Sequence, residues 1–342
     1  MMTENPYVKQ FPELMAGKTV LYVHGFASSG QSGTVERLRT VLPQARVVAP
    51  DLPVHPQEAM ALLHRVCQEE QPSLIVGTSM GGMYTEQLRG FDRICVNPAL
   101  EMGDTMRTHG LTGTQQFHSP RQDGVQEFYV DKSLIKEYRE QTEHRFEGMT
   151  DDDRRRVYGL FGDEDTTVDT YDLFRSRYPQ ALHFHGEHRM NDKSFMHSIV
   201  PVIRWIDDRQ EGRERPIIYI GMETMTDSCR MPASSVQKAV RQLIEHYQVY
   251  FVAPAVPEPA TEDGTTDGHG EEDRWAAWLA EYIGVPAWRH AVYTWRRDLL
   301  YGDYLIGSKT GGDTMATLLE YGSDTFKTWE DIIEYFSRLG GQ

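Results

Sequence analysis

Short apolar runs rich in β-branched residues alternate with amphipathic segments along much of the chain. This alternation is typical of an α/β protein with a mainly parallel sheet, because a helix connects each strand to the next. Apolar side chains recur at helical spacing over residues 59–66, which predicts a helix between two strands. The strands predicted for the first half lie at 19–23, 47–49, 74–76, 93–96, 157–161 and 181–185.

Residues 100–150 interrupt this alternation. They are rich in Gly, Thr, Gln and charged residues, and they contain one predicted helix near Lys132–Glu143. Long polar insertions of this kind often act as lids or substrate caps. We therefore predict a lid-like insertion within the first domain.

A charged run without apolar residues extends from Asp207 to Arg215, and it predicts a linker over 208–215. After it the strand–helix alternation starts again, with strands predicted at 216–220, 249–252, 291–294 and 304–306. The length of 342 residues exceeds what one compact core usually fills. The sequence thus predicts two domains, an α/β domain over 1–207 and a smaller Rossmann-like domain over 216–342.

The charge of the chain limits its partners. Its 35 Lys and Arg oppose 51 Asp and Glu, which gives a net charge of −16 at pH 7 and argues against nucleic acid as a partner. Three cysteines are too few and too scattered for a disulfide framework or a zinc site. No apolar run has the length of a membrane span, and the first 20 residues lack a signal-peptide core. We expect a soluble cytoplasmic protein, and whether it forms a homo-oligomer stays open.

The strongest chemical signal is the segment GTSMGG, which follows the predicted strand at 74–76 and centres on Ser79. In a G-x-S-x-G turn, small residues permit the sharp strand-to-helix bend that projects a serine hydroxyl towards a substrate. The N–H of Met80, at the start of the next helix, would then point towards a developing oxyanion. An early His-Gly turn offers a second donor, most simply the N–H of Phe26.

A serine nucleophile of this type needs an orienting acid and a base, which follow it in the chain in that order. The segment FGDEDTTV ends a predicted strand, and within it Asp165 is the better acid, with Asp163 second. His183 and His185 belong to the strand predicted at the end of this half. His188 lies in the loop after that strand, so we predict it as the base, with His185 as the alternative.

Taken together, these motifs resemble the α/β-hydrolase superfamily, and more narrowly the small bacterial esterases of the YqiA/YcfP type. The resemblance covers about residues 18–207 and rests on the segments HGFASS, APDLP, GTSMGG and VNPA. It implies a serine hydrolase, an esterase or thioesterase, that acts on a small-molecule ester or thioester. Such a triad requires no metal and no organic cofactor.

The second domain resembles deoxyribonucleotidase-like members of the haloacid dehalogenase (HAD) superfamily, mainly in the segment TWRRDLLYGDYLI. Phosphatases of that family need an aspartate nucleophile and further acids that hold Mg²⁺. Here Gly221 stands at the nucleophile position, Glu223 at the second acid, and Gly307 and Ser308 at the later acidic pair, while Arg297 keeps the basic position. The resemblance therefore implies a HAD-like domain that lacks the catalytic aspartates.

Two other functions compete with a serine hydrolase. The first is a catalytically inert two-domain protein that serves as a scaffold or binds a ligand, and candidates for all three triad roles weigh against it. The second is a nucleotide phosphohydrolase, which conflicts with the missing aspartates. The sequence identifies neither the acyl and leaving groups nor the ligand of the second domain.

Overall fold

The structure is a computed structural model that describes residues 9–226, 231–255, 270–308 and 314–339, with only the backbone of 270–272. It divides into two compact units, Met1–Glu211 and Gly212–Gln342. Each unit contains a parallel sheet flanked by helices, of six strands in the first and five in the second. The predicted α/β fold class is therefore confirmed.

The first unit is built on the strand order β2-β1-β3-β4-β7-β8, with every neighbouring pair parallel. Its strands are β1 (Thr19–Val23), β2 (Arg46–Val48), β3 (Leu74–Thr78), β4 (Arg93–Val96), β5 (Gly113–Gln116), β6 (Glu127–Val130), β7 (Val157–Gly162) and β8 (Ala181–Phe184). The central strands are almost entirely apolar because helices cover both faces of the sheet. Their carboxyl ends share one edge, where ligands of such sheets usually bind.

Some helices of the first unit begin at residues that favour a helix start. Pro56 occupies the first turn of its helix, and Thr150 forms a capping box with Asp153. These helices are α1 (Gly33–Val41), α2 (Pro56–Glu70), α3 (Met80–Gln87), α4 (Met102–Thr108), α5 (Lys132–Glu143), α6 (Asp151–Arg156), α7 (Tyr171–Arg175), α8 (Asp192–Ser194) and α9 (Val200–Glu211), with a π-helical segment at Phe195–Ile199.

The insertion at 100–150 contains more regular structure than the sequence suggested. Besides the predicted helix, now α5, it forms α4 and the antiparallel hairpin β5–β6. The hairpin was not predicted because one of its strands, GTQQ, contains no apolar side chain and, of the eight strand residues, Val130 alone is buried. Asp131 begins α5 by accepting a hydrogen bond from the Leu134 N–H at 2.8 Å.

Helix α9 extends to Glu211, so residues 208–211 of the predicted linker are helical. The charged run forms a helix because its polar groups bind the first unit. Asp207 accepts a hydrogen bond from Lys18 Nζ at 2.7 Å, and Gln210 Nε2 donates to Asp92 Oδ2 at 2.7 Å. Gly212, at φ 61°, then ends the helix in the left-handed conformation that glycine adopts easily. The boundary between the units thus falls inside the predicted linker.

The second unit has the strand order β11-β10-β9-β12-β13. Its strands are β9 (Ile217–Gly221), β10 (Gln248–Ala253), β11 (Ala291–Tyr293), β12 (Tyr304–Gly307) and β13 (Thr317–Glu320), and its helices are α10 (Ser234–His246), α11 (Gly270–Tyr282) and α12 (Trp329–Arg338). Short 3₁₀ turns lie at Met222–Thr224, Val285–Ala287 and Arg297–Leu299. Counted within this unit the order is 3-2-1-4-5, which is Rossmann-like, and only β13 lay outside the predicted strands.

The described residues include all the helices named above and two of the three cysteines. None of the helices in these ranges has both the length and the apolar character needed to cross a bilayer. Cys67 and Cys95 are buried free thiols, and burial raises the pKa of Cys67 to about 11 and that of Cys95 further still. Neither thiol is therefore ionised at neutral pH. Cys229 lies outside the described residues.

Candidate active site

Ser79 sits on a sharp turn between β3 and α3. Its backbone has φ 55° and ψ −120°, a combination that costs energy for a residue with a Cβ and recurs in nucleophile elbows. A Cβ on Gly77 would lie 2.1 Å from Thr85 Oγ1, and one on Gly81 would lie 2.0 Å from the Val23 carbonyl oxygen. Glycine is thus required on both sides of the serine, as the motif predicted.

The structure brings Ser79 together with the predicted base and acid. His188 Nε2 lies 3.0 Å from Ser79 Oγ, and His188 Nδ1 lies 2.7 Å from Asp165 Oδ2. The serine follows β3, the acid follows β7 and the base follows β8, so all three side chains lie at the carboxyl edge of the sheet. The Asp165 side chain is only 4% exposed, and that of His188 is 20% exposed, which leaves the imidazole partly accessible.

The environment of Asp165 keeps its carboxylate ionised. Burial by itself raises the pKa of Asp165, but hydrogen bonds outweigh this effect and the pKa lies below its ordinary value. The donors are His188 and the backbone N–H groups of Thr167 at 2.7 Å and Val168 at 3.1 Å. An ionised Asp165 accepts the Nδ1 proton of His188, so the Nε2 atom that faces Ser79 is free to take a proton.

The alternative pair, Asp163 and His185, lies in the same loops but in a different environment. His185 Nδ1 lies 3.4 Å from Asp163 Oδ2, and the His185 side chain is 74% exposed. Within the described residues neither of them forms a hydrogen bond with Ser79. Their polar atoms and those of Glu164 lie within 4.8 Å of one another, so these groups could hold a metal ion, but all are exposed and such acidic clusters are common without one.

The predicted oxyanion donors flank the nucleophile. A Cβ on Gly25 would lie 3.3 Å from Ser79 Cβ and 3.9 Å from Ser79 Oγ, so the turn that carries Phe26 passes beside the serine. The N–H of Met80 belongs to the first turn of α3 and has no acceptor inside that helix. Neither of these two N–H groups donates a hydrogen bond to any part of the chain that the structure describes. Both are therefore available to a bound oxyanion.

His24 orders the turn that carries Phe26. It is 2% exposed. Its Nε2 accepts a hydrogen bond from the Leu52 N–H at 3.0 Å, and its Nδ1 donates to the Gly25 carbonyl oxygen at 2.9 Å. Burial lowers the pKa of His24 from 6.5 to about 4. A neutral imidazole thus joins the loop after β1 to the loop after β2.

Protonation of His24 is expected to destabilise the protein as the pH falls. Its folded pKa is the lower one, so between pH 6.5 and about 4 the unfolded chain binds a proton that the folded chain does not. The free energy of unfolding at pH 5 is expected to be about 2 kcal/mol lower than at pH 7. Thermal unfolding at the two pH values measures it. The stability of His24→Gln should depend less on pH, because glutamine does not titrate. If its stability depended on pH as much as that of the unmodified protein, His24 would not be the group responsible.

Asn97 is a residue of this site whose role the sequence did not indicate. It is buried after β4 at φ 43°, a conformation that asparagine tolerates. Its Nδ2 donates to the His188 carbonyl oxygen at 3.1 Å, and its Oδ1 accepts from the Gly162 N–H at 2.7 Å. Asn97 thus joins the loop of the acid to the loop of the base. The sequence analysis singled out the VNPA segment, which contains Asn97. It did not indicate the hydrogen bonds of Asn97, because the partner residues lie 65 and 91 positions away along the chain.

The insertion is fixed to the first unit beside the nucleophile. Asp51, in the APDLP segment, accepts hydrogen bonds from the N–H groups of Gly30 at 2.7 Å and Gln122 at 2.6 Å. Ser29 Oγ donates to the Pro120 carbonyl oxygen at 2.5 Å. Beside these contacts, residues of the loops after β1 and β2, the start of α3 and the insertion line a small, mostly apolar pocket that is partly open to solvent.

The carboxyl edge of the second unit is occupied by an ion pair. Glu223 receives two hydrogen bonds from the guanidinium of Arg297, at 2.8 and 2.9 Å. Burial raises the pKa of Glu223, but Arg297 outweighs it and the pKa lies below its ordinary value. A Cβ on Gly221 would lie 2.5 Å from Glu223 Oε1, and the Ser308 N–H lies 3.3 Å from the same oxygen. The Glu223 carboxylate therefore fills the space into which a side chain at 221 would extend.

Comparison with known proteins finds one family model and several distant relatives. The model of an uncharacterised protein family, UPF0227, matches residues 19–169, slightly less than half of the chain. A protein of Vibrio phage KVP40 named "Putative 5'(3')-deoxyribonucleotidase" is 24% identical over 138 residues, 39% of this chain and 71% of the phage protein. A protein of the same name from Staphylococcus epidermidis is 27% identical over 114 residues, 30% of this chain and 58% of that relative.

Solved structures add only distant similarities. The thioesterase domain from the curacin biosynthetic pathway has 19% identity and a TM-score of 0.34, and the alignment covers 58% of this chain and 92% of that domain. The esterase domain of a Rhodothermus marinus protein has 16% identity and a TM-score of 0.38, over 59% and 90% of the two chains. One fold hosts many activities, so similarity at this level does not identify a function. The chain is thus similar to UPF0227 from β1 to the loop that carries Asp165, and to the two nucleotidase-named proteins over a shorter length.

Proposed function

We propose that the first unit is a serine hydrolase that cleaves a small-molecule carboxylic ester or thioester. The observation that carries this proposal is the continuous chain of hydrogen bonds from Asp165 through His188 to Ser79, at 2.7 and 3.0 Å. A nucleophile on a strained turn, a base within reach and an ionised acid behind the base are the parts that acyl transfer requires. The resemblance of four sequence segments to esterases supports the same reading.

In this mechanism Ser79 Oγ attacks the acyl carbonyl carbon while His188 Nε2 takes the hydroxyl proton. The N–H groups of Phe26 and Met80 donate hydrogen bonds to the oxyanion that forms, and Asp165 stabilises the imidazolium. Collapse of the tetrahedral intermediate breaks the bond to the alcohol or thiol, which leaves with the proton from His188. Water then attacks the acyl-enzyme, with His188 again as base, and regenerates the serine.

This proposal is tested by treating the protein with a fluorophosphonate probe and locating the adduct by mass spectrometry. A probe of this class phosphorylates an activated serine, so an adduct on Ser79 is expected. Absence of any adduct, together with absence of ester turnover, would favour the rival reading of an inert scaffold or binding protein. Graded p-nitrophenyl esters and acyl-CoA thioesters distinguish an esterase from a thioesterase.

We further propose that the second unit is a HAD-like domain without catalytic activity. The names of the phage and staphylococcal relatives suggest a deoxyribonucleotidase as the alternative, but glycine at 221 has no atom that can attack phosphorus. The Glu223 carboxylate beside Gly221 pairs with Arg297 Nη1 at 2.8 Å. A single carboxylate already engaged by an arginine is a poor ligand for Mg²⁺.

No magnesium-dependent phosphatase activity is therefore expected. The measurement is phosphate release from deoxynucleoside monophosphates with added Mg²⁺ and with EDTA. Turnover that EDTA abolishes and Ser79→Ala retains would show that the second unit is an active phosphatase.

A further inference from the structure

We infer that Asn97 is a positioning residue for the triad: its carboxamide sets the place of the base relative to the acid, and the segment around it holds the nucleophile. This inference rests on the proposed hydrolase function and adds a residue to its machinery. It is carried by the hydrogen bonds of Asn97 and of its neighbours, by the burial of the side chain and by the chemistry of a carboxamide.

The segment that contains Asn97 holds the backbone of Ser79 on both sides. The Ser79 N–H donates to the Val96 carbonyl oxygen at 2.9 Å, and the Ser79 carbonyl oxygen accepts from the Ala99 N–H at 3.0 Å. Asn97 lies between these two partners along the chain. Its own N–H donates to the Leu160 carbonyl oxygen at 2.8 Å, in the strand β7 that leads to the acid. The segment therefore fixes the nucleophile relative to the strand of the acid.

The side chain of Asn97 extends this connection to the base. Its Nδ2 donates to the carbonyl oxygens of His188 at 3.1 Å and Glu187 at 3.3 Å. Its Oδ1 accepts from the Gly162 N–H at 2.7 Å, three residues before Asp165. Within the described ranges, the two bonds from Nδ2 are the hydrogen bonds that the backbone of residues 187 and 188 makes. The place of the base thus depends on this one amide group.

Other hydrogen bonds join the loops of the acid and the base only near their beginnings. The Asp163 N–H donates to the Phe184 carbonyl oxygen at 3.0 Å, and the Glu164 N–H donates to the Gly186 carbonyl oxygen at 3.0 Å. These two bonds hold the chain as it leaves β7 and β8, but they do not reach the residues after Gly186. The Asn97 amide is the backbone contact that reaches His188 itself.

A carboxamide suits this place because it carries a donor and an acceptor together. An N–H group faces Oδ1 and carbonyl oxygens face Nδ2, so the partners themselves fix the orientation of the amide. An ionised aspartate at 97 would offer only acceptors and would oppose the two carbonyl oxygens. Asn97 is 2% exposed, so a lost partner is not readily replaced by water. Few other side chains would satisfy these partners.

The experiment measures kcat and KM of Asn97→Gly with a short p-nitrophenyl ester. Glycine adopts a φ of 43° without strain, so this variant removes the carboxamide and lets the backbone keep its conformation. We expect kcat to fall at least about tenfold with little change in KM, because a misplacement of about 1 Å can cost on the order of 100-fold in rate. The rate at which a fluorophosphonate probe labels Ser79 should fall in parallel. A merely structural role would lower the thermal unfolding temperature and leave kcat of the folded protein unchanged.

Gln141→Ala is the matched control. Gln141 is another buried carboxamide that joins two segments, and its Nε2 donates to Gln87 Oε1 at 2.6 Å. Gln87 is the last residue of α3, at the opposite end of that helix from Ser79. This variant should also lower the thermal unfolding temperature, because it removes one partner of a buried hydrogen bond. Its kcat should change less than about threefold.

Asn97→Asp keeps the inference testable where the glycine variant does not fold. In its neutral form the aspartic acid has one O–H donor and one carbonyl acceptor, as the amide has a donor and an acceptor, whereas the ionised form has acceptors only. Burial raises the pKa of a carboxyl group, so the neutral form gains as the pH falls from about 9 to about 6. The kcat of this variant, divided by that of the unmodified protein at the same pH, should rise over that range. A ratio that stays constant would contradict the positioning role.

The outcomes separate this inference from the proposed function. A folded Asn97→Gly whose kcat falls less than about tenfold, or whose loss lies in KM, would overturn the positioning role while leaving the hydrolase proposal intact. An equal loss of kcat in Gln141→Ala would overturn it as well, because any broken buried amide contact would then have the same effect. Absence of turnover and of an adduct on Ser79 in the unmodified protein would overturn the proposed function and the positioning role with it.

Discussion

Ser79→Ala is expected to reduce ester turnover by about 10⁴-fold or more and to abolish labelling by a fluorophosphonate probe. In the proposed mechanism the Ser79 hydroxyl oxygen forms the covalent bond, and His188 Nε2 lies 3.0 Å from that oxygen. Initial rates with a short p-nitrophenyl ester and intact-protein mass spectra measure the two effects.

The control for this prediction is Ser176→Ala. Ser176 is an exposed serine whose hydroxyl donates to the Leu173 carbonyl oxygen at 2.7 Å, away from the site. This variant should hydrolyse the ester at the rate of the unmodified protein and should still be labelled by the fluorophosphonate probe. Alanine at 79 keeps a Cβ on the same strained backbone, so the thermal unfolding temperature should change little. Hydrolysis by Ser79→Ala at the rate of the unmodified protein would show that another group carries the chemistry.

His188→Ala is expected to reduce turnover about as severely as Ser79→Ala, and the double variant should be little worse than either. Triad members act as a unit, so removal of one already forfeits most of what the others contribute. In the proposed mechanism the imidazole both accepts the serine proton and delivers it to the leaving group, and His188 Nε2 lies 3.0 Å from Ser79 Oγ. Steady-state kcat, with circular dichroism to verify folding, measures the effect.

His185→Ala is the matched control for the base. It removes the same side chain three residues earlier, at a position that is 74% exposed and that pairs with Asp163 instead of Ser79. We expect less than about a threefold change in kcat, because surface substitutions usually have small effects. If His185→Ala were folded and inactive while His188→Ala kept most of its turnover, the base would be His185.

The local pattern of apolar and polar residues predicts most strands of the first unit. The predicted strands agree with β1, β2, β3, β4, β7 and β8 to within two residues at each end. Buried parallel strands read as apolar runs, and the G-x-S-x-G turn has a steric requirement that glycine alone meets, so both are visible in the sequence. The hairpin β5–β6 was missed because the strand GTQQ carries no apolar signal and, of the eight strand residues, Val130 alone is buried.

Tertiary structure decided which of the candidate side chains meet. Asp163 and Asp165 differ by two residues, yet it is Asp165 that lies 2.7 Å from His188 while Asp163 pairs with His185. Strand β8 ends at Phe184, one residue before the predicted end, and the path of the loop beyond it sets the direction of each imidazole. Spacing along the chain does not encode that direction.

The sequence by itself determined the α/β class and the position of the G-x-S-x-G turn, and it predicted Ser79, Asp165 and His188 as the triad. Only the tertiary structure decided that Asn97 joins the loops of Asp165 and His188, that Asp51 holds the insertion, and that Glu223 fills the space beside Gly221. The physical reason is the separation along the chain of the residues that interact. Propensity and periodicity act over a few residues, whereas these contacts join groups 65 to 91 residues apart in the first case and 71 in the second. In the third, Glu223 is held in place by Arg297, 74 residues away.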